Sequence, residues 1–382
     1  MVNIILLGIT SLLTDISTEM VYPVLPIFLV SQLGASPAIL GVIEGVAESL
    51  ASLLKVFSGY LSDKVRSRKP FAIVGYASST IGKVCLYIAA HWHVVFLGRL
   101  IDRFGKGIRT APRDALIADS TPEGKRGAAF GLHRAMDTLG AACGVLLAYW
   151  IIQHYHGDLK KLFLFSLIPA IMAVVALFFV KEAKHKLSAA NKQIRFSWKG
   201  LDKRLKLFLI VSFVFTLGNS SNQFLLLRAQ QIGNPLTRVL LLYLVYNLVY
   251  AALSFPAAKL SDTIGRKYLL VAGYLLYAIV YVGFALSKSG EIFWLLFILY
   301  GLYMACTEGI EKALLVDIAP VQVRATTIGL HATIVGLGLL PASVLAGALW
   351  SLWGPAAPFY FGATMAFITS ISFYFILRKR AA

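Results

Sequence analysis

The chain has 382 residues, 58% of them hydrophobic and 14% charged, with a mean hydropathy of +0.75. Ordinary soluble domains are roughly 45–50% apolar, so a soluble fold would have too little polar surface to cover this core, and lipid is the natural solvent. A formal net charge of +18 would point a soluble chain toward nucleic acid, but here the basic residues gather in loops between apolar runs, as at a membrane surface.

A helix needs roughly 20 apolar residues to cross a bilayer, and unpaired backbone is not tolerated in hydrocarbon, so the spans must be helical. Twelve spans are predicted, at 3–31, 38–61, 70–90, 94–118, 126–153, 160–180, 206–231, 235–259, 267–287, 291–315, 322–350 and 357–377. The fold class is all-α membrane protein, with an N-terminal six-helix bundle at 1–180, a basic linker at 181–205 and a C-terminal bundle at 206–382.

Taken in order, the first span carries Asp15 and Glu19, four residues apart and so on one face. The second carries Glu44 and Glu48 with the same spacing, and the third Lys83. The fourth is the most loaded. Arg99, Asp102, Arg103, Lys106, Arg109 and Arg113 recur every three to four residues and form a polar stripe. Arg134 and Asp137 follow in the fifth span.

In the second half, the seventh span offers Asn219, Asn222 and Gln223, and the eighth offers Tyr243, Tyr246, Asn247 and Tyr250. Asn219 and Gln223 align with Asp15 and Glu19 (219 − 15 = 223 − 19 = 204), so amides stand where the first half has acids. The tenth span adds Glu308, Glu311 and Lys312.

An ionisable residue inside a span costs a few kcal/mol or more and normally faces the bundle interior. A closed salt-bridge network is the structural alternative, with Asp15, Glu19, Glu44 and Glu48 neutralising the fourth span. Apolar replacements usually stabilise as well as buried ion pairs do, which favours a wet, functional cavity for the group as a whole.

The segment Lys181–Lys206 is densely basic, as are the loop at Lys64–Lys69 and the end at Arg378–Arg380. The loops on the other side are poor in Lys and Arg, so both termini and the linker are expected on the cytoplasmic side. The first apolar run has no basic n-region and is too long for a cleavable signal peptide. Cys85, Cys143 and Cys306 lie in apolar stretches without CxxC spacing, so no disulfide, metal site or cofactor is expected. His133 and His331 occupy equivalent positions and are read mainly as packing residues, with pH sensing as the alternative.

The two halves repeat. Ala115-Leu-Ile-Ala-Asp119-Ser-Thr-Pro122, Arg126 and His133 recur as Ala313-Leu-Leu-Val-Asp317-Ile-Ala-Pro320, Arg324 and His331 (317 − 119 = 198). Gly59-Tyr-Leu-Ser-Asp63 recurs as Ala258-Lys-Leu-Ser-Asp262. A half-chain repeat in a membrane protein suggests two pseudo-symmetric bundles that rock to give alternating access. Under this offset Glu311 falls on Arg113 and Lys312 on Asp114 with reversed sign, which suggests reciprocal ion pairs acting as a gate.

These motifs resemble the major facilitator superfamily over essentially the whole chain. Leu260, Asp262, Gly265, Arg266 and Lys267 match its G-x-L-a-D-x-x-G-R-K loop, with Ala258 for the first Gly. Gly59, Leu61, Asp63, Arg68 and Lys69 match less closely, with one extra residue and Ser67 at the second Gly. The resemblance implies twelve helices, a charge clamp at these loops and a proton-linked Arg in the fourth span, matched by Arg103 with Gly107. The family's antiporter motif in the fifth span is absent after Gly140-Ala-Ala-Cys-Gly144, so export by proton antiport is not supported by it.

The expected function is a monomeric secondary carrier in a bacterial inner membrane, not an enzyme, whose partners are protons and a small anionic solute. A polycarboxylate, a siderophore-like chelator or a phosphorylated compound would suit Arg103, Lys106 and Arg109. Asp15, Glu19, Glu44, Glu48 and Arg103 are the proton-coupling candidates. Asn219, Asn222, Gln223, Tyr246 and Asn247 are the neutral substrate contacts. Gly59, Asp63, Arg68, Arg113, Asp119, Arg126, Asp262, Arg266, Glu311, Lys312, Asp317 and Arg324 are the gate. The alternative is a drug:proton antiporter of the same fold, with a cationic substrate held by Asp15 and Glu19.

Overall fold

The structure is a computed structural model. It describes residues 2–65, 67–122, 126–182, 202–319 and 324–376, the side chains of 126 and 324–326 excepted. The side chains of Arg126 and Arg324 of the expected gate, and most of the basic linker, therefore lie outside what is described.

Among the described residues the regular structure is helical. The long elements are α1 (Val2–Val21), α2 (Pro37–Val65), α3 (Lys69–Ile88), α4 (Trp92–Asp119), α5 (Arg126–His154) and α6 (Leu159–Phe178). They continue as α7 (Lys203–Gly218), α8 (Gln223–Gln231), α9 (Leu236–Ile264), α10 (Arg266–Leu286), α11 (Ile292–Ile318), α12 (Arg324–Trp353) and α13 (Ala357–Ile376). A 3₁₀ turn, a short α segment and a π turn extend α1 as far as Gln32. α7 and α8 together make the seventh span.

Ten helical stretches among the described residues are long and apolar enough to cross a membrane. α2 and α4 have the length, 29 and 28 residues, but carry the interior charges that lower their hydropathy. Large apolar side chains such as Phe57, Trp150, Phe179, Phe255 and Ile279 stand exposed, as a lipid-facing surface requires.

The chain forms two compact units. Unit 1 comprises residues 1–35, 46–188 and 235–244; unit 2 comprises 36–45, 189–234 and 245–382. α2 and α9 therefore each contribute to both. Inside unit 1, α3 packs on α4 and α6, and α1 packs on α5 and α6. Inside unit 2, α10 packs on α11 and α13, and α7 packs on α12 and α13. The second pattern is the first with every span advanced by six, so the sequence repeat is also a repeat of packing.

Glycines set the closest approaches. A Cβ on Gly105 of α4 would lie 2.3 Å from the carbonyl of Gly75 on α3, and one on Gly82 would lie 2.6 Å from the carbonyl of Gly98. Two backbone-to-backbone contacts thus draw α3 onto α4, as small residues do in membranes. Gly265 has φ +100° in the turn before α10, a conformation that only glycine adopts freely, which accounts for the second Gly of the loop motif.

Candidate functional site

In unit 1 the α4 stripe is an ion-pair network. Arg103 Nε lies 3.1 Å from Glu48 Oε1 and 3.8 Å from Asp102 Oδ2. Arg99 lies 3.8 Å from Glu48 and 3.6 Å from Asp102, with its guanidinium 5.8 Å from the Tyr22 ring centre. Arg99, Asp102 and Arg103 are all buried. Lys83 donates to Thr18 Oγ1 at 3.2 Å. A cavity of about 10 Å³, room for roughly one water, is lined by Thr18, Tyr22, Lys83, Arg99 and Asp102.

The rest of the stripe divides. Lys106 is exposed although Arg103, Glu48, Arg109 and Asp102 act on it electrostatically, so it borders accessible space inside the charged group. Arg109 is buried and turned into α3. It donates to Ser79 Oγ and to the Gly75 carbonyl, and its guanidinium sits 4.5 Å from the Tyr76 ring centre. The expectation that Arg109 joins Arg103 and Lys106 on one anion is corrected by this: the Gly75–Gly105 approach leaves Arg109 facing a neighbouring helix.

The acids divide too. Glu19 accepts a hydrogen bond from Tyr243 Oη at 2.9 Å, and Lys106, Arg103 and Lys83 are its charged neighbours. Asp15 lies among Asp137, Glu19, Arg113 and Arg109. Glu48 belongs to the unit 1 network, whereas Glu44 is fully buried in unit 2 and accepts from Ser221 Oγ at 3.3 Å. The two α2 acids therefore do not jointly neutralise α4.

Unit 2 offers neutral groups. The run Asn219–Asn222 separates α7 from α8. Ser and Asn side chains compete for backbone hydrogen bonds and so weaken a helix at such a place. Tyr277 Oη donates to the Gly218 carbonyl at 3.0 Å and meets Asn219 Oδ1 at 3.3 Å. Tyr300 Oη donates to Asn222 Oδ1 at 2.7 Å, and Asn222 Nδ2 donates to Tyr246 Oη at 3.5 Å. Asn247 follows Tyr246, half-buried. Gln223 is fully buried, and neither its Oε1 nor its Nε2 has a hydrogen-bond partner among the described residues.

Sequence reasoning missed Tyr277, Tyr281, Tyr300 and Tyr303, whose rings cluster, Tyr277 stacked on Tyr281 at 3.9 Å, edge-on to Tyr303 at 4.7 Å, and Tyr300 tilted against Tyr303 at 5.4 Å. The helical spacing of Tyr274, Tyr277 and Tyr281 was the available signal. It also missed Glu182, whose carboxylate accepts from the Arg68 and Lys69 backbone N–H groups and from Ser67 Oγ.

The expected gate residues form matching triads. In unit 1, Arg68 meets Asp63 at 3.2 Å and Asp119 at 2.6 Å. In unit 2, Arg266 meets Asp262 at 3.0 Å and Asp317 at 2.6 Å. Gly59 packs toward Ala111, 3.3 Å from a Cβ placed on it. Arg113 and Glu311 each have partners inside their own unit. Arg113 meets Asp114 at 2.8 Å and Ser11 at 3.2 Å. Glu311 meets His331 at 3.1 Å and Ser212 at 2.8 Å. Lys312 pairs with Glu308 at 3.5 Å.

The repeated triads on a repeated helix packing agree with a family match: the description Major Facilitator Superfamily fits residues 7–231 and 207–382. The chain belongs to the major facilitator superfamily. It is 41% identical to an MFS-type transporter of Methanocaldococcus jannaschii, over 98% of this chain and 94% of that one. It is 23% identical to the multidrug resistance protein MdtH of Klebsiella pneumoniae, over 96% and 92%. The fold is similar to that of the nucleoside transporter NupG, with a TM-score of 0.81 at 14% identity and full coverage of both chains. This superfamily chain is thus a multi-pass membrane transporter and not an enzyme.

Proposed function

We propose that this transporter is a proton-coupled carrier of a small organic anion, a polycarboxylate, siderophore-like or phosphorylated compound, moved by alternating access. The observation that supports this most is Lys106. Arg99, Arg103 and Arg109 are buried against Glu48, Asp102 and Ser79, while Lys106 stays accessible beside them. An accessible ammonium inside a charged group is placed to receive a carboxylate or phosphate. Glu19 and Asp15 are the acids that carry the coupled proton, and Arg103 with Glu48 is the pair that their charge state biases. Within unit 2, Asn222, Gln223, Tyr246 and Tyr300 are the neutral groups able to hydrogen-bond a polar solute.

The second reading, a drug:proton antiporter, draws support from the likeness to a protein named for multidrug resistance and from the acids that offset Arg99 and Arg103. The chain is reconstituted in liposomes under an imposed pH gradient and offered radiolabelled tricarboxylates and sugar phosphates beside cationic dyes. Uptake of an anion, lost in Lys106→Gln, is the expected result. Accumulation of dyes alone, with Lys106→Gln harmless, overturns it in favour of the second reading.

A further inference from the structure

Arg113 and Glu311 occupy equivalent positions of the repeat and carry opposite charges. Their surroundings are nevertheless alike. Arg113 donates to Ser11 on α1, the first helix of its half; Glu311 accepts from Ser212 on α7, the first helix of the other half. His133 and His331, themselves equivalent, lie nearby in each unit.

The difference lies in what holds the charge. In unit 1, Arg113 is paired with Asp114, and His133 turns to Asp137 on its own helix at 3.4 Å. A guanidinium does not deprotonate in proteins, so the charge at position 113 is permanent. In unit 2 the same place holds a carboxylate, and His331 Nε2 lies 3.1 Å from Glu311 Oε1. His331 is 7% exposed and the Glu311 side chain 16%. His331 is the basic side chain paired with Glu311. Ser212 from α7, Tyr274 from α10 and Tyr303 of α11 itself are the polar groups that face it. Phe208 and Phe373 close the surroundings, the Phe208 ring 6.1 Å from that of His331.

We propose that Glu311 and His331 together form a second proton-binding site, in unit 2, which loads and releases one proton as the carrier works. The proposal rests on the coupled-carrier reading for the proton's part in transport, but not for the site itself. Loaded, the pair is neutral overall, as carboxylate with imidazolium or as carboxyl with imidazole. On release the proton passes to water and leaves a carboxylate beside a neutral imidazole, one negative charge in a largely apolar place with hydroxyl groups and at most one imidazole N–H to meet it. That state is costly while the site is dry and becomes accessible when water enters. The site is thus a switchable counterpart of the fixed Arg113.

The test measures protons released by the purified full-length protein in lipid between about pH 5 and 8, where histidine titrates, together with infrared difference spectra of ¹³C-glutamate-labelled protein. Glu311→Gln is expected to release about one proton fewer per chain, because the pair titrates as a unit, and to lose the imidazole change of His331. His331→Asn is expected to abolish the same step. An unaltered proton count in Glu311→Gln overturns the proposal. If that variant does not fold, the unsubstituted protein decides: no pH-dependent change in any imidazole or glutamate band also overturns it. Glu19→Gln run in parallel separates the two readings, since it tests unit 1 coupling and leaves the Glu311 step in place.

Discussion

Arg266 reaches Asp317 at 2.6 Å, and the repeat sets Arg68 against Asp119 at the same distance. The pairs differ in setting. Arg266 and Asp317 are 29% and 53% exposed, Arg68 and Asp119 13% and 29%, and Arg68 is further held through its backbone N–H by Glu182. Exposed ion pairs contribute about 0–1 kcal/mol. Asp317→Asn is therefore expected to leave the thermal midpoint of the purified protein nearly unchanged while altering its initial transport rate in vesicles. Asp119→Asn should lower both. Equal thermal losses in the two variants would contradict this.

Lys106 and Arg109 lie one turn apart on α4 and should separate cleanly on substitution. Arg109→Ala leaves Ser79 and the Gly75 carbonyl without their charged donor, and hydrogen bonds to charged groups contribute about 1.5–3 kcal/mol each. The expected outcome is a lower melting temperature, with unchanged solute affinity in the fraction that remains folded. Lys106→Gln should leave melting unchanged and weaken solute binding. A thermal-shift series against solute concentration on both variants checks the pair.

The α3–α4 approach predicts the effect of one methyl group. Gly105→Ala places a carbon 2.3 Å from the Gly75 carbonyl, a backbone atom that cannot turn aside. Overpacking of this kind costs about 1–3 kcal/mol. Gly127→Ala, where an added Cβ meets nothing within 4 Å, is the matched control and should melt like the unsubstituted protein. Comparable melting of the two variants would mean that α3 and α4 can separate without loss.

The spans, the repeat and the loop triads were legible in the sequence because each rests on spacing: long apolar runs, and Asp and Arg recurring at an offset of 198 or 199. The division of the α4 stripe was not. Residues three apart on a helix differ by about 60° around its axis, so Lys106 and Arg109 share a stripe in sequence yet meet different neighbours once Gly75 and Gly105 bring α3 close. Glu44 and Glu48 share a face, but four residues rise about 6 Å, enough for one to meet Ser221 and the other Arg103. The tyrosines of α10 and α11 were hidden for another reason. A periodic aromatic row has the same pattern whether it packs or binds, and only the hydroxyl partners Gly218, Asn219 and Asn222 distinguish them.

The Tyr300–Asn222 hydrogen bond carries the last prediction. Asn222 lies at the break between α7 and α8, and its Oδ1 is held by Tyr300 Oη at 2.7 Å while its Nδ2 turns to Tyr246. Tyr300→Phe removes the donor and keeps the ring that packs 5.2 Å from Tyr246. The amide is then free to rotate, and a solute that it orients should bind less tightly. A neutral hydrogen bond contributes about 0.5–1.5 kcal/mol, so the half-saturating solute concentration should rise about two- to tenfold, with the maximal rate little changed. Asn222→Asp keeps the acceptor for Tyr300 and converts the neutral group to an acid. For an anionic solute it should reduce uptake far more than Tyr300→Phe does; for a cationic dye it should not. Transport assays on the two variants, with both probe types, therefore distinguish an orienting amide from a packing one.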